Sequence, residues 1–486
     1  MVHLLDLPDE LLIQICEGLQ QIDKYSGDNC RLACQQLCAA SSHLLVPVVA
    51  VDCRVASLER FSEIIRHPVI GKGVRTVRVP MHSYRCELSE VRTSFVKFIA
   101  EPAIHDLADP ELYLDNTCEP NTKMCEWLGR LLPGRVPQGE HVKHDDRVWS
   151  RALSLVHGEY QRLFREQELL RRDGNFVNTI ASALAKIPHR TVLVFDDKPC
   201  KSLDVVNLEP FAQKHCHLLD LDPDFWRSMW YDMLSPYTWT GLVNDDFGWE
   251  SFAPDPAFEE PRMDFVFNLP SAIARAGGRI HHIQFHSDCD RPLGHIPPGT
   301  TTQSDFASAM QQLEAFTVIT QQPPEDSIVD DLASSVLANA SNLYFLRIAF
   351  TYANILSKAL ASRPLPHLRQ IHFDGAQIKV PDLVVLLDGL PAHVDAIYLG
   401  HIRLVEGTWA EALDALRKKS YGSFVIEKPE GLLGPGYTQW AFDPMGNTIA
   451  SEAPEERFLT NRRVPGSLSP AEAFVLRITS INPCRT

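Results

Sequence analysis

Positive charge is scarce in this sequence. Its 46 Lys and Arg face 62 Asp and Glu, a formal net charge of −16 over 486 residues. That balance argues against a general nucleic-acid binder and against a protein held on an anionic membrane. No apolar run approaches the roughly 18 residues that a membrane-crossing helix needs. The opening MVHLLDLPDELLIQICEGLQ has no basic stretch ahead of its apolar residues, and Asp6, Asp9, Glu10 and Glu17 interrupt them. Neither a secretory signal nor a mitochondrial presequence is expected. Twelve cysteines are spread too widely for a disulfide framework. They read as reduced thiols, which suits a cytoplasmic or nuclear protein.

Catalytic signatures are missing too. There is no G-x-S-x-G, and GHIPPGTTT (residues 294–302) has neither the glycine spacing nor the lysine of a phosphate loop. No Cys–His motif of a hydrolase or ligase stands out. RIHHIQFHSDCD, residues 279–290, crowds His281, His282, His286, Asp288 and Cys289 together. On a strand, His282 and His286 point to one face and His281 to the other, so they cannot share one ion. They read as solvent-facing histidines, and HCH at 215–217 is weaker still. The carboxylate pairs Asp196-Asp197, Asp245-Asp246 and Asp330-Asp331 are ordinary in so acidic a chain. No catalytic residue, metal ligand or cofactor is assigned, and the chain is expected not to be an enzyme.

What the sequence does hold is apolar pattern. At 45% hydrophobic residues it can bury a large core, and its length implies several domains or a repeat array. LPDELLIQICEGL, residues 7–19, reads as a helix. Pro8 suits the first position, Asp9 and Glu10 complement the macrodipole, and Leu11, Leu12, Ile15 and Leu19 form an apolar stripe. IDKYSGDN, residues 22–29, reads as a turn. A second helix is expected from Cys30 to about Leu45, with Cys30, Cys34, Leu37 and Cys38 on one buried face. Three sulfurs four residues apart spread over roughly 12 Å and do not converge on an ion.

The second pattern is a repeat. Apolar-x-x-apolar-x-apolar recurs as Ile280-Ile283-Phe285, Leu313-Phe316-Val318, Leu343-Leu346-Ile348, Leu368-Ile371-Phe373 and Val394-Ile397-Leu399. The copies start 33, 30, 25 and 26 residues apart. Val74-Val77-Val79 is an earlier copy, and TVLVF (191–195) a further candidate. Between them lie helical patterns: PSAIARAG, SDFASAMQQL, DSIVDDLASSVLANA, ANILSKALASR, PDLVVLLDGL and, after the last copy, WAEALDALRKK. Strand then helix every 25–30 residues predicts an α/β fold, an irregular leucine-rich-repeat-like solenoid in which each unit closes its core only by stacking on the next. A two-layer α/β domain with a parallel sheet would give similar spacing. A long amphipathic helix is expected over 148–172, capped by Gly174, with another helix over FVNTIASALAKI.

The N-terminal residues resemble an F-box. Leu7-Pro8-x-Glu10-Leu11-Leu12-x-x-Ile15 is similar to that family's opening phrase, and Leu32-Ala33-Cys34-Gln35-Gln36-Leu37 sits where its second motif falls, with Gln35-Gln36 in place of a basic pair. Ser41-Ser42-His43-Leu44 offers a second register for that motif. Residues 57–79 and 160–199 resemble segments that follow the F-box in many fungal F-box proteins. The resemblance implies a helical F-box module over 1–50, a linker helix and first repeat-like strand over 51–100, and an acidic insertion over 101–148, a loop or partly disordered. A repeat domain would fill 149–430, interrupted by an aromatic-acidic insertion at 235–265, before a C-terminal extension over 431–486. It further implies the substrate-recognition subunit of an SCF-type (cullin–RING) ubiquitin ligase, which carries no ubiquitin itself. Leu7, Pro8, Leu11, Leu12, Ile15 and Leu19, with Cys34 and Leu37, would bind the Skp-type adaptor, and the repeats an unidentified protein substrate. The alternatives are a repeat scaffold with no ligase attached, or an enzyme with a metal or acidic site in 235–295.

Overall fold

The computed structural model describes residues 4, 7–22, 24–81, 83–99, 144–187, 190–196, 211, 213–215, 234, 264–287, 303–320, 328–355, 365–427, 430–431, 469–477 and 480. Three short helices come first: α1 (Asp9–Ile22), α2 (Lys24–Ala33) and α3 (Gln35–Ser41). Each touches the other two. The turn predicted over 22–29 is therefore largely helix. Ser, Gly and Asn there weaken a helix by at most about 1 kcal/mol each, which packing against α1 and α3 outweighs. The single helix expected from Cys30 is also divided. Cys34 is extended, at φ −163° and ψ 167°, and its Sγ caps α3 by accepting from Leu37 N. Cys30 and Cys38 thus belong to different helices, and Cys30, Cys34 and Cys38 are each only partly buried. Their spacing is not the period of one buried face.

The rest is a parallel sheet with helices. Its strands are β1 (Val48–Ala50), β2 (Thr76–Pro80), β3 (Thr191–Asp196), β4 (Ile280–Ser287), β5 (Ala315–Thr320), β6 (Phe345–Ile355), β7 (Gln370–Lys379), β8 (His393–Gly400), β9 (Arg403–Glu406), β10 (Ser420–Glu427) and β11 (Glu430–Gly431). The order is β1-β2-β3-β4-β5-β6-β7-β8-β10, every pair parallel, so the sheet never reverses direction. Val49, Val77, Leu193, Ile283, Phe316, Leu346, Ile371, Ile397 and Phe424 lie side by side in register. All nine are buried. The predicted copies, TVLVF among them, occupy this row and the next buried one. Two further copies that the sequence reading did not single out complete the row: Val46-x-x-Val49-x-Val51 at the start, and Tyr421-x-x-Phe424-x-Ile426 at the end.

Helices follow the same sequence as the strands. α4 (Val55–Arg66) packs on α7 (Asn175–Leu184), α7 on α8 (Phe265–Arg275), α8 on α9 (Gln303–Met310), and α9 on α10 (Ile328–Asn339). Farther along, α11 (Val380–Gly389) meets α12 (Trp409–Leu416), which meets α13 (Pro470–Val475). α5 (Cys86–Glu90) packs on α6 (His144–Arg172), which also meets α7. A polar seam fastens α6. Gln167 Nε2 donates to Tyr84 O (3.0 Å) and its Oε1 accepts from Tyr84 N (2.9 Å), while Tyr160 Oη accepts from Arg85 N (3.0 Å). Gly174 ends α6 at φ 66°, as the sequence suggested.

Three expectations need adjusting. ANILSKALASR was read as helical, yet β6 continues to Ile355, where it pairs with Gln377. β1 falls inside the stretch assigned to the helical module, so the sheet begins before residue 51. At the far end, α13 belongs to the sheet unit rather than to a separate extension: Glu472 Oε1 accepts from Ile426 N at 3.1 Å. Residues 101–143 and 235–263 lie outside the described residues. Among the described residues, no helix is long and apolar enough to cross a membrane.

Candidate docking site

The N-terminal helices own a small core, separate from that of the sheet. Leu12, Cys16, Leu37 and Ala40 are its buried members, and Leu7, Ile13, Cys34 and Leu44 pack around them. Burial raises the Cys16 thiol above its ordinary pKa, with Cys30 nearby adding to the effect. The unit is tied down at its exit, where His43 Nε2 lies 3.2 Å from Glu17 Oε1 and links α1 to the 3₁₀ turn Ser42–Leu44.

Among the described residues, large apolar side chains of these helices and the turn before them stand in solvent. Leu11 is 44% exposed, Ile15 36%, Leu4 49% and Leu32 86%. Leu11 and Ile15 are one helical turn apart, so they form a ridge on α1 beside exposed Pro8. Exposed single leucines are unremarkable, but several on so small a unit mark a surface suited to a partner.

The eight residues singled out by the F-box resemblance therefore divide. Pro8, Leu11 and Ile15 face outward, and Leu7 and Leu19 are half-buried. Leu12 and Leu37 are interior and cannot reach a partner without parting the helices. Cys34 is half-buried and engaged at the start of α3, where its Sγ lies 3.5 Å from Leu37 N. These three hold the ridge in place instead of forming it. Leu32, the most exposed of the large apolar side chains among the described residues, was quoted in the second motif but not assigned to the surface. A single helix from Cys30 to Leu45 would have left it unremarkable; the break at Cys34 leaves it near the end of α2.

Among the described residues, no group of three or more His, Cys, Asp or Glu side chains could hold an ion. His282 Nε2 lies 3.1 Å from Thr317 Oγ1 on the adjoining strand, and burial lowers its pKa to about 4. His281 stands elsewhere, near Glu314, Arg190 and Arg279. Asp196 is buried and paired with Arg78 at 2.9 Å, and Asp330 and Asp331 fall within α10. Asp197, Asp245-Asp246, Asp288, Cys289 and most of HCH are outside the described residues. No protein-family model matches the chain, and no curated protein matches it.

Proposed function

We propose that this chain is a substrate-receptor subunit of an SCF-type ubiquitin ligase, docking on the Skp-type adaptor through its N-terminal helices and holding a protein substrate with its sheet domain. The observation that carries the reading is the split along α1, with Leu11 and Ile15 exposed over a core of Leu12 and Cys16. A ridge of apolar anchors on a short helical unit is what helix-in-groove recognition uses, and a few such anchors dominate affinity. The chain's contribution is then positional: it holds substrate and charged ubiquitin carrier together at high effective concentration. Gln35 and Gln36, both polar and uncharged, make that docking depend on apolar contact more than on charge.

The test is capture. Full-length chain co-purifies with the adaptor, and Leu11→Ala/Ile15→Ala reduces capture at least tenfold while leaving the thermal midpoint unchanged. Failure of the wild-type chain to bind overturns the reading in favour of a scaffold without a ligase.

A further inference from the structure

On the helical side of the sheet domain, α4 and α7 enclose a groove of about 270 Å³. Ser62, Ile65 and Arg66 line it from α4; Asn178, Thr179, Ser182 and Ala183 from α7, with Lys186 just beyond that helix. Two features set it apart. First, its two cations have no counter-ion. Among the described residues, neither the Arg66 nor the Lys186 side chain has an ion-pair or hydrogen-bond partner, although Glu63 precedes Arg66 by one turn and the chain is strongly acidic. Two like charges on one cavity repel each other. Each stands near a helix C-terminus, but the dipole there supplies only about half a negative charge, so the groove remains positive.

Second, its short polar side chains are free. Four serines elsewhere turn back on the preceding turn: Ser41 Oγ donates to Leu37 O (2.6 Å), Ser42 to Cys38 O (2.6 Å), Ser154 to Ser150 O (2.8 Å) and Ser271 to Phe267 O (3.0 Å). Ser62, Thr179 and Ser182 make no such bond, and Asn178 has no side-chain partner either. Four hydroxyl or amide donors thus meet two cations, with no carboxylate on the lining.

We propose that this groove binds a phosphate group. A phosphate offers three acceptor oxygens and close to two negative charges, which suits paired cations ringed by neutral donors better than a lone carboxylate does. Ile65 and Ala183 leave apolar wall for whatever carries the phosphate. The site lies on other elements than the α1 ridge and does not depend on adaptor docking.

The experiment uses the full chain and inorganic phosphate at matched ionic strength. Phosphate raises the thermal midpoint more than chloride does, and Arg66→Gln/Lys186→Gln removes the difference without changing the midpoint in chloride. Arg66→Lys/Lys186→Arg retains it. Equal responses of wild type and the Gln variant overturn the proposal, as does no phosphate effect at all. A second arm compares a phosphoserine peptide with its unphosphorylated twin. Displacement of inorganic phosphate by the phosphopeptide at tenfold lower concentration assigns the group to a protein; parity assigns it to the free ion or a small ester.

Discussion

Leu11 and Leu12 are neighbours in sequence and opposites in consequence. Leu12 is fully buried in a core of only four side chains, so Leu12→Ala leaves a cavity that little else can fill. A loss of about 2–5 kcal/mol is expected, enough to unfold the helical unit, visible as protease cleavage near residues 9–44. Leu11→Ala removes a half-exposed side chain and shifts stability by no more than about 0.5 kcal/mol. The same scale governs the response to acid. Burial lowers His282 to about 4 and lowers His157 as well. Unfolded histidine titrates near 6.5. The unfolded chain therefore binds protons first as pH falls, and stability complete above about pH 6.5 is lost progressively toward pH 4. A urea midpoint that is flat over that interval would refute this, and His282→Gln should reduce its slope.

At the scale of elements, two close approaches matter. Gly73 sits where the turn after α4 meets the exit of the helical unit, and a Cβ there would collide with the His43 backbone carbonyl. Gly73→Ala should push the helical unit off the sheet. It is expected to lower the thermal midpoint and open the 43–48 connection to protease, while Gly18→Ala, with free space around it, does neither. The corner between β8 and β9 is held by His401 at φ 47°, opposite Gly375 at φ 66° on β7. His401 Nδ1 lies 2.9 Å from Asp374 Oδ1, a bond across the corner that offsets some of the cost of the left-handed backbone. α12 begins with a reciprocal cap, Thr408 Oγ1 accepting from Glu411 N and Glu411 Oε2 from Thr408 N. Thr408→Ala should cost about 1 kcal/mol, read from the denaturation midpoint.

At the scale of the molecule, stability is passed between neighbours, because from β1 to β8 each strand pairs with the next in sequence, and the α4-α7-α8-α9-α10 helices pack in the same order. The ends then need covers. α13 covers the β10 end: Phe474 and Val475 are buried, Arg417 stacks on the Phe474 ring at 4.3 Å, and Glu472 takes the amide of Ile426. Glu472→Ala should raise hydrogen exchange first in β10 and leave β3 to β5 protected; uniform loss across the sheet would contradict neighbour-by-neighbour stacking.

Much of this was legible in the residues. Apolar-x-x-apolar-x-apolar has the two-residue period of a strand, and each copy must bury its face on the next, so Ile280, Leu313, Leu343, Leu368 and Val394 announced the sheet and its parallel order. The adjacent leucines of α1 showed an apolar stripe wider than its core. Sequence alone could not divide that stripe, because which side faces inward depends on where α2 and α3 lie. Nor could it find the break at Cys34: local spacing favoured a continuous helix, and only packing among three helices turned that residue extended. The α4–α7 groove was invisible for the same reason. Arg66 and Lys186 are 120 positions apart, and nothing local says they share a cavity. Composition and period determined the kind of fold, since they act through neighbours along the chain. Tertiary structure decided which side chains face solvent and which charges meet, since those follow from distances between elements remote in sequence.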